Sequence, residues 1–159
     1  MTQLTVISVG TLKEAYLRDA VAEYKKRLLQ YAKTEEINIK EEPIRNEDDS
    51  SEITRALEAE GAKILSSIPK DSYKIALCVE GKEFDSLSLA KVIGNAADEK
   101  GRITLIIGSS HGLSDIVKKE CDLRLSLSKL TFPHQLMRVI LMESLYRSFT
   151  VIAGKRYHK

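Results

Sequence analysis

Apolar positions along this chain change period several times, and each change marks an element. Leu4–Val9 (LTVISV) is rich in β-formers and ends at Gly10, so it reads as a first strand. Leu17, Ala20, Val21, Tyr24, Leu28 and Tyr31 then recur at helical spacing, which predicts an amphipathic helix over 14–31. In 36–40, Ile37 and Ile39 alternate with polar neighbours, giving a short second strand, and the acidic stretch 41–51 with its Pro43 reads as a loop. Ile53, Ala56, Leu57, Ile64 and Leu65 form the stripe of a second helix. Asp49, three residues before Glu52, is placed to cap its start, and Pro69 to stop it.

The second half repeats the alternation. Lys74–Val79 (KIALCV) is apolar on both faces, as a strand inside a parallel sheet must be. Gly81 is expected to turn the chain, Ser86 to cap a helix carrying Leu87, Leu89, Ala90, Val92, Ile93 and Ala96, and Gly101 to end it. Ile103–Ile107 is another buried strand, followed by the tight loop Gly108–Gly112 (GSSHG) and a short helix to Glu120 that Ser114 can cap. Leu123–Leu127 alternates cleanly as a strand, 128–134 is a loop, and 135–149 is a strongly apolar helix before the basic tail 155–159. Strands alternating with helices predict a single α/β domain over 1–159, a mostly parallel sheet with helices on both faces.

Bulk properties narrow the class. A chain of 159 residues with 43% apolar and 30% charged residues suits one soluble globular domain. Its apolar runs are far short of the roughly 20 residues a spanning helix needs, so neither a membrane protein nor a secreted one is expected, and the cytoplasm is the expected compartment. Cys78 and Cys121 each sit in an apolar stretch and read as buried, reduced thiols. The three histidines show no ligand spacing with them, so no metal site is expected. Net charge is only +2 but uneven: 35–60 holds ten acidic residues against three basic, and 118–159 nine basic against three acidic. A basic end of this kind can hold phosphates, which makes nucleic acid a plausible partner.

In open α/β sheets ligands bind outside the carboxyl ends of the strands. Three segments fall there: Glu80-Gly81-Lys82, the loop Gly108–Gly112 and the loop Ser128–His134. Glycines at 108 and 112 let backbone approach a ligand, but the spacing matches neither a dinucleotide fingerprint nor a P-loop, and Ser110–His111 makes no hydrolase triad. Pro133 restricts Phe132 and stiffens the third loop, whose backbone groups are suited to reading an adenine edge. At the C-terminus Arg147 and Lys155–Lys159 combine cations, a tyrosine and an imidazole, a set suited to phosphates and bases.

Together, IGSSHGL at 107–113, LSLSKLTFPHQ at 125–135, Met137-Arg138-Val139 and the terminal Tyr157-His158-Lys159 closely resemble one bacterial family. It is the small SPOUT-class methyltransferases of the ribosomal RNA large subunit methyltransferase H type, which act on N3 of a pseudouridine in 23S ribosomal RNA. The resemblance covers the whole chain, from Val9-Gly10-Thr11-Leu12-Lys13 onward. It implies a deep trefoil knot in the C-terminal half, a homodimer and S-adenosylmethionine as cofactor. By position it assigns cofactor contacts to Leu77, Gly108, Leu127, Ser128, Lys129, Leu130, Thr131 and Phe132. It assigns Arg138, Tyr157 and His158 to the RNA side of a site completed by both subunits. Where the family carries a second glycine, this chain has Ser109, which leaves the contact at that position open; His111 is expected to be exposed and non-catalytic.

Methyl transfer from a sulfonium is an in-line displacement, so positioning and electrostatics carry the catalysis. On that basis His158, or a water it holds, is expected to act as general base, Tyr157 to stack on or orient the target base, and Arg138 with Lys155 and Arg156 to hold flanking phosphates. The rival readings are a non-catalytic ribosome-binding assembly module and a nucleotide-dependent oxidoreductase; the missing phosphate fingerprint counts against the latter.

Overall fold

The computed structural model describes residues 1–158; Lys159 lies outside the described residues. Ten elements alternate along the described residues. They are β1 (Thr2–Val9), α1 (Ala15–Leu28), β2 (Ala32–Ile39), α2 (Ser50–Ser67) and β3 (Tyr73–Glu83), then α3 (Ser86–Lys100), β4 (Arg102–Ile107), α4 (Asp115–Glu120), β5 (Leu123–Ser126) and α5 (His134–Ile152). The strands form one sheet in the order β2-β1-β4-β3-β5, and every neighbouring pair is parallel.

Strand side chains alternate between two cores. Leu4, Val6, Ile103, Leu105 and Ile75 point to the face covered by α1, α3 and α5, where they meet Val21, Ile93, Leu141 and Phe149. Ile7, Val9, Ile106 and Ala76 point to the other face and meet Ile64 of α2 and Val117 of α4. Burial on both faces explains why the central strands read as continuous apolar runs. Because α5 packs between α1 and α3, residues around much of its circumference are covered, and its apolar character follows from that position.

Differences from the sequence expectation have local causes. The second strand begins at Ala32, well before the expected 36, and α1 ends at Leu28, before Tyr31. As a sheet edge, β2 carries Lys33, Glu35 and Glu36 among its inward Ala32, Thr34 and Ile39, and such charges both blunt an edge and blur its strand signal. Gly81 makes no turn. Instead β3 runs on to Glu83, and the register against β5 jumps from Leu77↔Leu125 to Lys82↔Leu125, so 78–81 bulge outward. A Cβ on Gly81 would lie 2.7 Å from the carbonyl carbon of Leu125, so glycine serves a close backbone approach there. The cap of α3 is Asp85, whose Oδ1 accepts from the Ser88 N–H at 2.7 Å, and Ser86 is the first helical residue. Asp49, Ser114 and Gly101 cap their helices as expected.

Candidate functional site

All five strands being parallel, their carboxyl ends share one edge of the sheet, and there a cavity of about 630 Å³ opens. The three segments expected at that edge converge on it. The bulge of β3 contributes Leu77 and Glu80, the loop after β4 contributes 107–113, and the segment after β5 contributes Leu127, Ser128 and 130–134. Of the expected cofactor contacts, Leu77, Gly108, Leu127, Ser128, Leu130, Thr131 and Phe132 line the cavity. Lys129 does not: its side chain is 88% exposed and points to Glu83, 3.8 Å away.

The loops are stiff by construction. Gly112 donates its N–H to the Ser109 carbonyl at 2.9 Å, with Gly112 at φ +90°. At Gly108 a Cβ would collide with the Gly112 carbonyl, so only glycine permits this hairpin-like turn. Ser109 holds no positive φ and is buried, its Oγ accepting from the His111 N–H at 3.3 Å. A serine therefore fits the turn without strain. In the third loop Ser126 Oγ donates to the Ser128 carbonyl at 3.0 Å, and Ser128 Oγ accepts from the Leu130 N–H at 3.0 Å. This S-x-S brace was visible in the sequence as a spacing but carried no signal of its role.

The cavity wall mixes apolar surface from Leu77, Ile107, Leu125, Leu127 and Phe132 with sparse polar groups, the composition of a small-molecule site. At its rim Lys118 Nζ lies 2.6 Å from Glu80 Oε1 and holds that carboxyl below its usual range. Glu80 belongs to a segment the sequence placed at this edge, but Lys118 was not singled out, since their pairing depends on the β3 bulge meeting α4. His111 is also on the wall and is not free in solvent as expected: its side chain is 25% exposed and its Nε2 lies 2.7 Å from Glu47 Oε2. Among the described residues no group of three or more His, Cys, Asp or Glu side chains is gathered as a metal would require, and no helix is long and apolar enough to cross a membrane.

The three residues expected at the RNA side lie elsewhere in the same chain. Arg138 is 5% exposed; its Nη2 donates to Asn38 Oδ1 at 3.0 Å and its Nη1 to the Gly10 carbonyl at 3.4 Å. It is thus built into the junction of β1, β2 and α5 and is not displayed toward a phosphate, because both terminal nitrogens are engaged inside the fold. Tyr157 and His158 fold back along α5. Tyr157 packs edge-on against Tyr146 at 4.8 Å between ring centroids, with the Arg147 guanidinium 4.8 Å from its ring centre. Its hydroxyl donates to Glu143 Oε1 at 3.2 Å, and burial followed by that carboxylate pushes the phenol up to about 12. Arg147 Nε donates to the same Glu143 oxygen at 3.0 Å, while its Nη1 meets His158 Nδ1 at 3.3 Å. Glu143 and Arg147 line a small cleft of about 120 Å³, which shares the wall Leu125–Leu127 with the large cavity.

The family model described as "Predicted SPOUT methyltransferase" matches residues 2–158. The chain is 46% identical to a ribosomal RNA large subunit methyltransferase H of Caldicellulosiruptor bescii over 98% of its own length and 99% of the relative's. It is 45% identical, with the same coverage, to the protein of that name from Shouchella clausii. A solved structure of a probable methyltransferase from Bordetella pertussis Tohama I superposes with TM-score 0.62 over 93% of this chain and 96% of that one, at 12% identity, which speaks to the fold alone. With an α/β parallel sheet, a cavity at its carboxyl edge and near full-length relatives of one kind, the chain belongs to the SPOUT methyltransferases, in the ribosomal RNA large subunit methyltransferase H family.

Proposed function

We propose that this protein transfers a methyl group from S-adenosylmethionine to N3 of a pseudouridine in 23S ribosomal RNA, acting in the cytoplasm as a homodimer on the ribosome or its large subunit. The observation that carries the reading is the convergence of three loops on one cavity of about 630 Å³. Its chemistry suits the cofactor: apolar walls from Leu77, Leu127 and Phe132 for an adenine ring, and the backbone of the braced loop 126–130 for its edge. When bound, the cofactor supplies an activated methyl group on a sulfonium.

The chain's own residues then position the reactants. The Gly108–Gly112 turn and the two serine braces keep the pocket preformed, so little ordering is needed on binding. Leu125–Leu127 separates that pocket from the cleft beside Glu143, Arg147 and His158, and we place the target base on the side of the tail. Tyr157 and His158 do not line the pocket of their own chain, which supports a composite site in which the tail of one subunit serves the pocket of another. The last helix threaded through the loop before it, as a trefoil knot, belongs to the same proposal; the contact of Lys13 N–H with Gln135 Oε1 at 3.2 Å places the start of α5 against the β1–α1 turn.

Calorimetric titration with S-adenosylmethionine, beside NADH and FMN, tests the reading. Saturable binding of the first alone, followed by tritiated methyl transfer to ribosomes, is the expected result. Binding of RNA with none of the three would favour an assembly module, and sedimentation as a monomer would remove the composite site.

A further inference from the structure

The arrangement of the C-terminal tail bears on what His158 can do. An Arg guanidinium has five N–H donors and no acceptor, and it stays protonated in proteins. Arg147 Nη1 therefore donates in its 3.3 Å contact with His158 Nδ1, so that nitrogen must present its lone pair. A proton on Nδ1 would set two donors against each other. With Nδ1 accepting, the imidazole proton sits on Nε2. Arg147 is itself held from behind. One oxygen, Glu143 Oε1, accepts from Arg147 Nε and Nη2 and from the Tyr157 hydroxyl. Asp85 also lies close enough to His158 for the two to interact electrostatically, and its carboxylate is engaged by the Ser88 N–H at 2.7 Å.

We infer that Glu143 is a positioning residue: through Arg147 it fixes His158 as a neutral Nε2–H donor, and His158 acts on the target by donating that hydrogen bond instead of removing a proton. The inference rests on the methyltransferase reading above. As the pseudouridine N3–H bond breaks, its proton passes to solvent hydroxide, forming water. The charge left on the ring spreads to its carbonyl oxygens, and an Nε2–H donor stabilises it there while N3 takes the methyl group. On this inference His158 takes the place of a donor and not of the general base expected in the sequence, since neither ring nitrogen is then a vacant acceptor.

Side-chain amide and imidazole separate the two roles. A glutamine places an N–H near the position of Nε2 but cannot take a proton at neutral pH. In single-turnover transfer to ribosomes, His158→Ala is expected to lose on the order of 100-fold and His158→Gln to stay within about tenfold of the parent. Glu143→Ala should lower the transfer rate with unchanged affinity for S-adenosylmethionine, and adding it to His158→Ala should cost nothing more. Histidine-labelled full-length protein gives a readout free of activity: two-bond nitrogen–proton correlation at mildly alkaline pH should show His158 protonated on Nε2 alone, with a mixture of tautomers appearing in Glu143→Ala. A proton on Nδ1, or His158→Gln as inactive as His158→Ala, overturns the inference while leaving the methyltransferase reading intact. A parent enzyme that transfers no methyl group to any ribosomal substrate overturns both.

Discussion

Arg138 Nη2 donates to Asn38 Oδ1 at 3.0 Å, joining the second turn of α5 to the end of β2 across a partly buried junction. Glu36 Oε1 stands 3.7 Å from the same nitrogen, burial lowers the guanidinium's pKa, and Nε has no partner. A residue so placed holds elements together.

Arg138→Ala is accordingly expected to destabilise the fold by about 1–3 kcal/mol, since it removes the hydrogen bonds to Asn38 and the Gly10 carbonyl and the packing of a buried side chain. Chemical denaturation measures this. The folded fraction should still bind S-adenosylmethionine within about threefold, because Arg138 does not line the cavity. A loss of RNA methylation with unchanged stability would return Arg138 to the RNA surface.

The glycine loop makes a contrasting pair. Gly108→Ala meets the Gly112 carbonyl and the Leu113 side chain, so a stability loss of about 1–3 kcal/mol and at least a tenfold loss of cofactor affinity are expected. Ser109→Gly, which installs the second glycine, should leave affinity within about threefold, since Ser109 already has negative φ, and should cost up to about 1 kcal/mol from added unfolded-state freedom. Thermal denaturation and calorimetric titration read both.

Glu60 supplies a pH dependence. It is 2% exposed, Oε1 has no partner, and Oε2 accepts from the Glu42 N–H at 2.9 Å. Burial is the main cause that raises its pKa. A carboxyl raised in the folded state binds its proton more tightly there than when unfolded, so its contribution is favourable at acid pH and is lost as pH rises through the folded value. Glu60→Gln should therefore gain stability relative to the parent as pH climbs from the ordinary carboxylate range toward neutrality, with the difference closing in acid. Equilibrium unfolding at a series of pH values checks the sign; a difference that grows in acid would refute it.

The two thiols should be unreactive. Burial pushes Cys78 up and Cys121 up to about 12, so thiolate is scarce at neutral pH. Alkylation by iodoacetamide is expected to proceed at the rate of global or local opening, and to accelerate in denaturant. Cys78 is buried as expected while Cys121 is only half-buried, and labelling of the native protein as fast as a free thiol would contradict the shielding of both.

Much of this architecture was legible because local rules agreed with the global fold. Doubly buried strands such as Lys74–Val79, capped helices at Asp49 and Ser114, and the αL glycine at Gly101 announce themselves within a few residues. The sequence by itself determined the alternation of strands and helices, the three loops at the carboxyl edge and the family they resemble. Tertiary structure decided what depends on partners distant in the chain. Gly81 is required by the backbone of β5 and not by a turn. Glu80 meets Lys118 only because β3 bulges beside α4. Arg138 is consumed by Asn38, a hundred residues away, and His158 by Arg147 on the helix it folds back upon. Periodicity reports which face of an element is apolar; which hydrogen-bond partner a buried or folded-back polar group finds is set by the packing of whole elements against each other.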